Sequence, residues 1–291
     1  MPLSPSLHER LFTTLKARFA TDMAVFTPLL VRDIHLGFVN TQYAQLLRRD
    51  LGEYIRARDG VLRFNCDSWL QAADLLQNAA WGWHESGLYS GWRNEPFTVH
   101  DDAGNPLFSL ERSAFRPLGF LSHAVHINGW IERDGQRLYW IGTRSPYKAV
   151  DPNKLDNLVG GGIAAGEDIA TAMRREAFEE AGLPPELLRD VPESGCRLSC
   201  RPVSRGLHRE YLHVFDVHLP ADFVPQNQDG EVASFALMNV SEIAEAMSAG
   251  QFMNDAALAL LDAFARNGEL DPTHPLGAWL DNLAQVITPA A

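Results

Sequence analysis

Residues 160–183 read Gly160-Gly161-Gly162-Ile163-Ala164-Ala165-Gly166-Glu167-Asp168-Ile169-Ala170-Thr171-Ala172-Met173-Arg174-Arg175-Glu176-Ala177-Phe178-Glu179-Glu180-Ala181-Gly182-Leu183. A glycine-rich loop runs into a helix that closes at Gly182, and Pro184 and Pro185 prevent its continuation. Glu176, Glu179 and Glu180 stand three and four residues apart, so their carboxylates are neighbours on the helix surface. At about 100° per residue, Ile169, Met173 and Ala177 mark the apolar side, and Glu176 and Glu180 fall within about 20° of Ile169. Two carboxylates therefore point toward the packed side. Anions placed there repel each other and lose hydration unless a proton or a cation compensates them. Hard divalent cations such as Mg²⁺ and Mn²⁺ take oxygen ligands, and Mg²⁺ commonly combines one or two carboxylates with water and substrate phosphates. The spacing thus argues for metal-assisted phosphate chemistry over a merely solvated acidic face.

Upstream, Phe120 to Ile131 and Leu138 to Ile141 flank Arg133-Asp134-Gly135-Gln136, and Asp-Gly between two strand-like runs predicts a hairpin. Arg116-Pro117-Leu118-Gly119 interrupts regular structure just before it and marks a boundary. Earlier still, Leu7, Leu11, Leu15 and Phe19 form one stripe of an opening helix, Leu29 to Val39 reads as a strand interrupted by Asp33 and Gly37, and helices are expected over 42–49 and 69–80. Asp102 to Pro106 forms a turn between two apolar stretches. Downstream, Tyr211 to Leu219 alternates as a strand. Helices are expected over 241–248, with Ser241 as its N-cap, and over 255–266, ending before Gly268. The chain divides into an α+β unit over residues 1–115, a catalytic α+β unit over 116–268 and a C-terminal tail over 269–291.

The 291 residues, 46% of them hydrophobic, can bury a sizeable core. A net charge of −12 opposes nonspecific binding of nucleic acid or anionic membrane. Three cysteines, Cys66, Cys196 and Cys200, cannot build a disulfide framework and fit a reducing compartment. Neither a signal peptide nor a run of 18 apolar residues is visible, so a soluble cytoplasmic protein is expected.

Residues 161–183 resemble the Nudix box, Gly-x5-Glu-x7-Arg-Glu-U-x-Glu-Glu-x-Gly-U, where U is a bulky aliphatic residue. Gly161, Glu167, Arg175, Glu176, Glu179, Glu180, Gly182 and Leu183 all match, and Ala177 departs at the first U position without loss of a chemical group. The resemblance implies a Nudix α/β/α sandwich with a mixed sheet, and an enzyme that hydrolyses diphosphate linkages with Mg²⁺ or Mn²⁺. By it, Glu176, Glu179 and Glu180 hold metal, Gly160 and Gly161 bring backbone close to the metal, Arg175 and Glu167 pair loop to helix, and Gly182 closes the helix. Glu179, Glu180 and Glu231, the last on the later segment Asp229-Gly230-Glu231-Val232, are the candidates for proton transfer. Arg144, Lys148 and Lys154 are candidate phosphate-binding cations.

A narrower resemblance covers most of residues 25–265. Leu110-Glu111-Arg112-Ser113-Ala114, His126-Ile127-Asn128-Gly129, Lys154 to Val159 and Asp229 to Val232 are similar to the thiamine pyrophosphokinase-related Nudix subfamily, whose extra N-terminal domain has a matching size. That implies hydrolysis of thiamine diphosphate or its oxidised forms to the monophosphate; ADP-ribose, NADH and nucleotide sugars are the alternatives, and a diphosphate-sensing module without turnover is the reading from another class. The expected partner is a small-molecule diphosphate, with no nucleic acid and no membrane, and a homodimer stays open. Three weaker signals are judged structural. Cys196, Cys200, His208 and His213 lack zinc-site spacing, His123 and His126 fall on opposite strand faces, and Trp81, Trp83 and Trp92 read as packing more than as a stacking platform.

Overall fold

Ser4 accepts from the Leu7 amide and Pro5 presets the first helical φ, so the chain enters α1 (Pro5–Arg18) directly. In the computed structural model, residues 3–283 are described. Leu7, Leu11 and Leu15 of α1 are buried in the same core as Ile243, Met247 and Leu261, far along the chain.

The next segment forms its own sheet. Strands β1 (Thr27–Val31) and β2 (Ile34–Val39) pair antiparallel, followed by α2 (Thr41–Asp50), β3 (Ile55–Arg58), β4 (Val61–Phe64) and α3 (Trp69–Glu85), with strand order β2-β1-β4-β3. The expected single strand over 29–39 is thus a hairpin. Arg32 and Asp33 both adopt positive φ, 49° and 63°, and reverse the chain where a break within one strand was expected. A second hairpin, β5 (Pro96–His100) with β6 (Pro106–Glu111), adds Phe97, Val99 and Leu110 to the separate core of this first sheet, around Leu29, Leu47, Leu62 and Trp83. The short α4 (Phe115–Leu118) ends at Gly119, with φ 60°, where a Cβ would lie 2.1 Å from the Phe38 carbonyl oxygen. The expected boundary is therefore a helical turn packed directly against β2.

The larger sheet has β7 (Ser122–Arg133) at its centre. Around it lie β8 (Gln136–Arg144), β9 (Leu155–Asp156), β10 (Val159–Gly162), β11 (Gly195–Val203), β12 (Gly206–His218) and β13 (Val232–Asn239), in the order β11-β12-β7-β8-β13, with β10 on β7 and β9 on β8. The β7–β12 pair is parallel and the β7–β8 hairpin antiparallel, so the sheet is mixed. Helix α5 (Ile169–Ala181) covers one face through Met173 and Ala177 against Val125 and Ile127. On the other face lie α6 (Val240–Ser248) and α7 (Asn254–Arg266), packed on Tyr139, Ile141 and Leu212. Finally α8 (Pro275–Asn282) buries Leu276 and Leu280 in that core.

Three expectations change here. The glycine loop begins as β10, hydrogen-bonded to β7 with Gly160 opposite His126. Asn239, not Ser241, caps α6, because it closes a capping box with Glu242. Residues 269–283 carry a packed helix where a tail was expected, and residues 284–291 lie outside the described residues. Among the described residues no helix is long and apolar enough to cross a membrane.

Candidate active site

Asp168 accepts from the Thr171 amide at 2.6 Å to start α5, and Gly182, with φ 62°, ends it. Between these caps the helix turns its acids toward β10. Glu180 is 5% exposed, and its Oε2 accepts from the Gly160 amide at 2.8 Å. Burial pushes its carboxyl up to about 8, while the Lys148 ammonium, 3.7 Å from Oε1, pulls the other way. Burial also raises Glu176, with Arg175 opposing. Both groups therefore favour a positive charge beside them.

Gly161 explains how Glu176 fits. A Cβ at this position would lie 1.9 Å from the Glu176 carboxyl carbon, so only a glycine lets that carboxylate reach the strand backbone. Arg175 then organises the loop. Its Nε and Nη2 donate to Glu167 at 2.7 and 2.8 Å, Nη2 also reaches the Gly162 carbonyl at 3.2 Å, and Nη1 bridges Glu176 at 2.6 Å and Glu179 at 3.2 Å. The Glu179 side chain is 42% exposed, at the rim.

The facing wall comes from the loop before β13. Glu231 pairs with Lys148 and, at 3.3 Å, with Arg93 from the N-terminal half, while Asp229 accepts from the Glu231 amide. Lys148 thus stands between Glu180 and Glu231, and burial pushes its ammonium down while Glu180 opposes. Arg144 is buried and committed to Asp156, at 2.7 Å, and to the Val150 carbonyl. Lys154 pairs with Asp151 and does not line the cleft. Of the three cations picked from sequence, Lys148 is the one set between acids at the cleft wall.

These walls enclose a cleft of about 860 Å³. Its lining includes residues that spacing could not reveal. Arg93, Arg112 and Phe97 come from the N-terminal half, and the Arg112 guanidinium sits 5.0 Å over the Phe97 ring while bonding Glu95 at 2.6 Å. Phe97 also packs where a side chain on Gly162 would lie, 2.3 Å from its ring. Below the site, His126 meets Asn157 at 2.8 Å and Asn157 donates to Asn128 at 2.5 Å, a buried chain that braces β10 on β7.

The four residues weighed for zinc are not brought together. Cys196 lies opposite His213, but His208 pairs with Arg201 on the other face of the sheet and bonds Asp255. Glu193 joins Cys196 and His213 instead. Trp83 is buried and donates to Asp50 at 2.7 Å, Trp81 and Trp92 pack edge to face, and none of the three lines the cleft.

The NUDIX domain family profile matches residues 122–256. Nudix hydrolase 24 of Arabidopsis thaliana, a chloroplastic protein, is 38% identical over 256 residues, which cover 86% of this chain and 70% of the relative. The chain belongs to the Nudix hydrolases. Nudix hydrolase 20 of the same plant, also chloroplastic, is 30% identical over 88% of this chain and 71% of its own length. A solved structure from Deinococcus radiodurans matches 58% of this chain and 98% of its own, at 22% identity and a TM-score of 0.43. As a Nudix hydrolase the protein hydrolyses pyrophosphate linkages. Its mixed sheet between α5 and the α6–α7 pair is the α/β/α sandwich of the second half.

Proposed function

We propose that this Nudix hydrolase cleaves the diphosphate of a small molecule with Mg²⁺ or Mn²⁺ held by Glu176, Glu179, Glu180 and the Gly160 carbonyl. One observation carries the reading. Two carboxylates of one helix reach the β10 glycines, Glu180 through the Gly160 amide and Glu176 against Gly161, beside a cleft that Glu176 and Glu179 line, and both are sheltered enough for burial to raise their protonation. An all-oxygen donor set of this kind suits hard divalent cations. When bound, such an ion neutralises phosphate charge and acidifies a water.

The chain's own groups do the rest. Arg175 holds Glu176 and Glu179 in place, and Gly161 leaves room for the former. Lys148 faces the diphosphate as a cation and holds Glu231 across from Glu180. Glu231, with Glu179 and Glu180 as the other candidates, accepts the proton of the attacking water.

The narrower substrate reading is thiamine diphosphate or its oxidised forms. Its support is that all four stretches carrying that resemblance reach the cleft, through Arg112, His126, Asp156 and Glu231. ADP-ribose, NADH and nucleotide sugars are the alternative. The three cysteines, none of them in a disulfide, suit the reducing cytoplasm we infer for it. Incubating the full chain with each diphosphate and Mg²⁺ or Mn²⁺, and detecting phosphate and monophosphate, tests the reading; tight binding without release from any of them would make it a sensing module.

A further inference from the structure

The cleft has a second end that the diphosphate chemistry leaves unused. Ser122, Ala124 and His126 are alternate residues of one β7 face, and all three line it. His126 lies opposite Gly160 at the acidic end, and Ser122 lies opposite Glu210 at the other. Four residues of extended strand separate them, about 13 Å. At the Ser122 end Arg116, Arg201 and Arg205 converge from α4, β11 and the β11–β12 turn.

Their charge is incompletely matched. Asp255 takes up Arg201 at 3.2 Å, together with His208 and Ser199, and Glu210 accepts from the Ser122 hydroxyl. Arg116 spends only its Nε, on His208, and Arg205 makes one bond, to the Ser90 carbonyl. Arg201 is 8% exposed, yet its Nε is buried without a partner. A buried guanidinium donor left unpaired costs desolvation energy that an incoming acceptor recovers. Burial, together with the neighbouring Arg116 charge, pulls Arg205 down to about 10, as expected for cations crowded out of water.

We propose that Arg116, Arg201 and Arg205 form an anion subsite that takes a phosphate or carboxylate group at the far end of the cleft. It rests on the diphosphatase reading only for what occupies the other end. On that reading the substrate class is a diphosphate carrying a second acidic group roughly 13 Å away, the span that the β7 ruler sets. Thiamine diphosphate has no such group, whereas among the alternative substrates a nucleotide sugar with a carboxylate does.

The probe is inorganic phosphate titrated calorimetrically into the full chain in chelator, which leaves no divalent ion to bind it. The wild type and Glu180→Gln should bind it alike, and Arg205→Ala should bind it about tenfold more weakly or worse. Arg205 sits on a hairpin turn and its replacement spares the core. Arg116→Lys serves as the second variant, because it keeps the charge and loses the fork, and it should also weaken binding. No binding up to about 10 mM, or equal binding by both arginine variants, overturns the subsite. Failure of the diphosphatase reading looks different: no substrate turns over, while phosphate binding persists and still depends on Arg205.

Discussion

Gly161 on β10 and Glu176 on α5 touch so closely that the glycine's missing side chain is the space the carboxylate occupies, with 1.9 Å from an added Cβ to the Glu176 carboxyl carbon. The clash is with the far end of a flexible side chain, so Gly161→Ala should fold while expelling the carboxylate from its place beside Arg175. Turnover should fall by about two orders of magnitude with a modest loss of melting temperature. Gly82→Ala is the control, since a Cβ there meets nothing within 4 Å and mid-helix alanine is favoured by about 1 kcal/mol. Rates and melting curves of the two variants side by side decide it; a fully active Gly161→Ala enzyme would remove Glu176 from the site.

Glu180→Gln keeps the shape of a buried side chain and removes its charge. Burial makes that charge unfavourable unless a cation answers it, with the carboxyl pushed up to about 8. The variant should therefore melt no lower than wild type in chelator, lose nearly all hydrolysis, and lose the rise in melting temperature that Mn²⁺ gives the wild type. Undiminished hydrolysis would contradict the metal assignment.

Away from the cleft, His123 supplies an acid-sensitive element. Burial, then the charges of His213 and His100, lower it to about 4 from 6.5, with Glu210 opposing. The unfolded chain consequently takes up this proton before the folded one does. The stability from keeping His123 neutral is fully present above pH 6.5 and drains away as pH falls toward 4. His123→Gln should melt over a flatter pH profile across that window than wild type. A variant with an unchanged slope would assign the acid sensitivity elsewhere.

What the sequence displayed and what it hid follow from the range of the interactions. The three glutamates on α5 were legible because helical spacing is local, and the turn of Glu176 and Glu180 toward the packed side could be read from Ile169, Met173 and Ala177. The β7–β8 hairpin was legible through Asp134-Gly135. By contrast, Arg32-Asp33 lacks the usual glycine, so the β1–β2 reversal looked like an interrupted strand. Strands β11 and β13 carry no clean alternation: Arg197, Arg201 and Pro202 break the first, and the second is only partly buried along its length. Arg93, Arg116, Arg201 and Arg205 were not picked out as cleft residues because residues 93–116 and 201–205 lie about 85 residues apart in the chain, and only folding gives them a common address.

Arg93 offers the sharpest separation of architecture from chemistry. Among the described residues it is the one cation of the N-terminal half paired with Glu231, at 3.3 Å, and both side chains are substantially exposed, 40% and 32%. An exposed pair of this kind contributes about 0–1 kcal/mol, so Arg93→Ala should barely move the melting temperature. If Glu231 takes the proton from the attacking water, losing one of the two cations that orient it, with Lys148 left as the other, should lower kcat by roughly tenfold with little change in metal affinity. Pairing Arg93→Ala with Glu231→Gln in a double-mutant cycle gives the decisive reading. Non-additive losses place Arg93 behind Glu231 as its positioning residue, whereas additive losses would mean that the N-terminal half acts on the substrate independently of that acid.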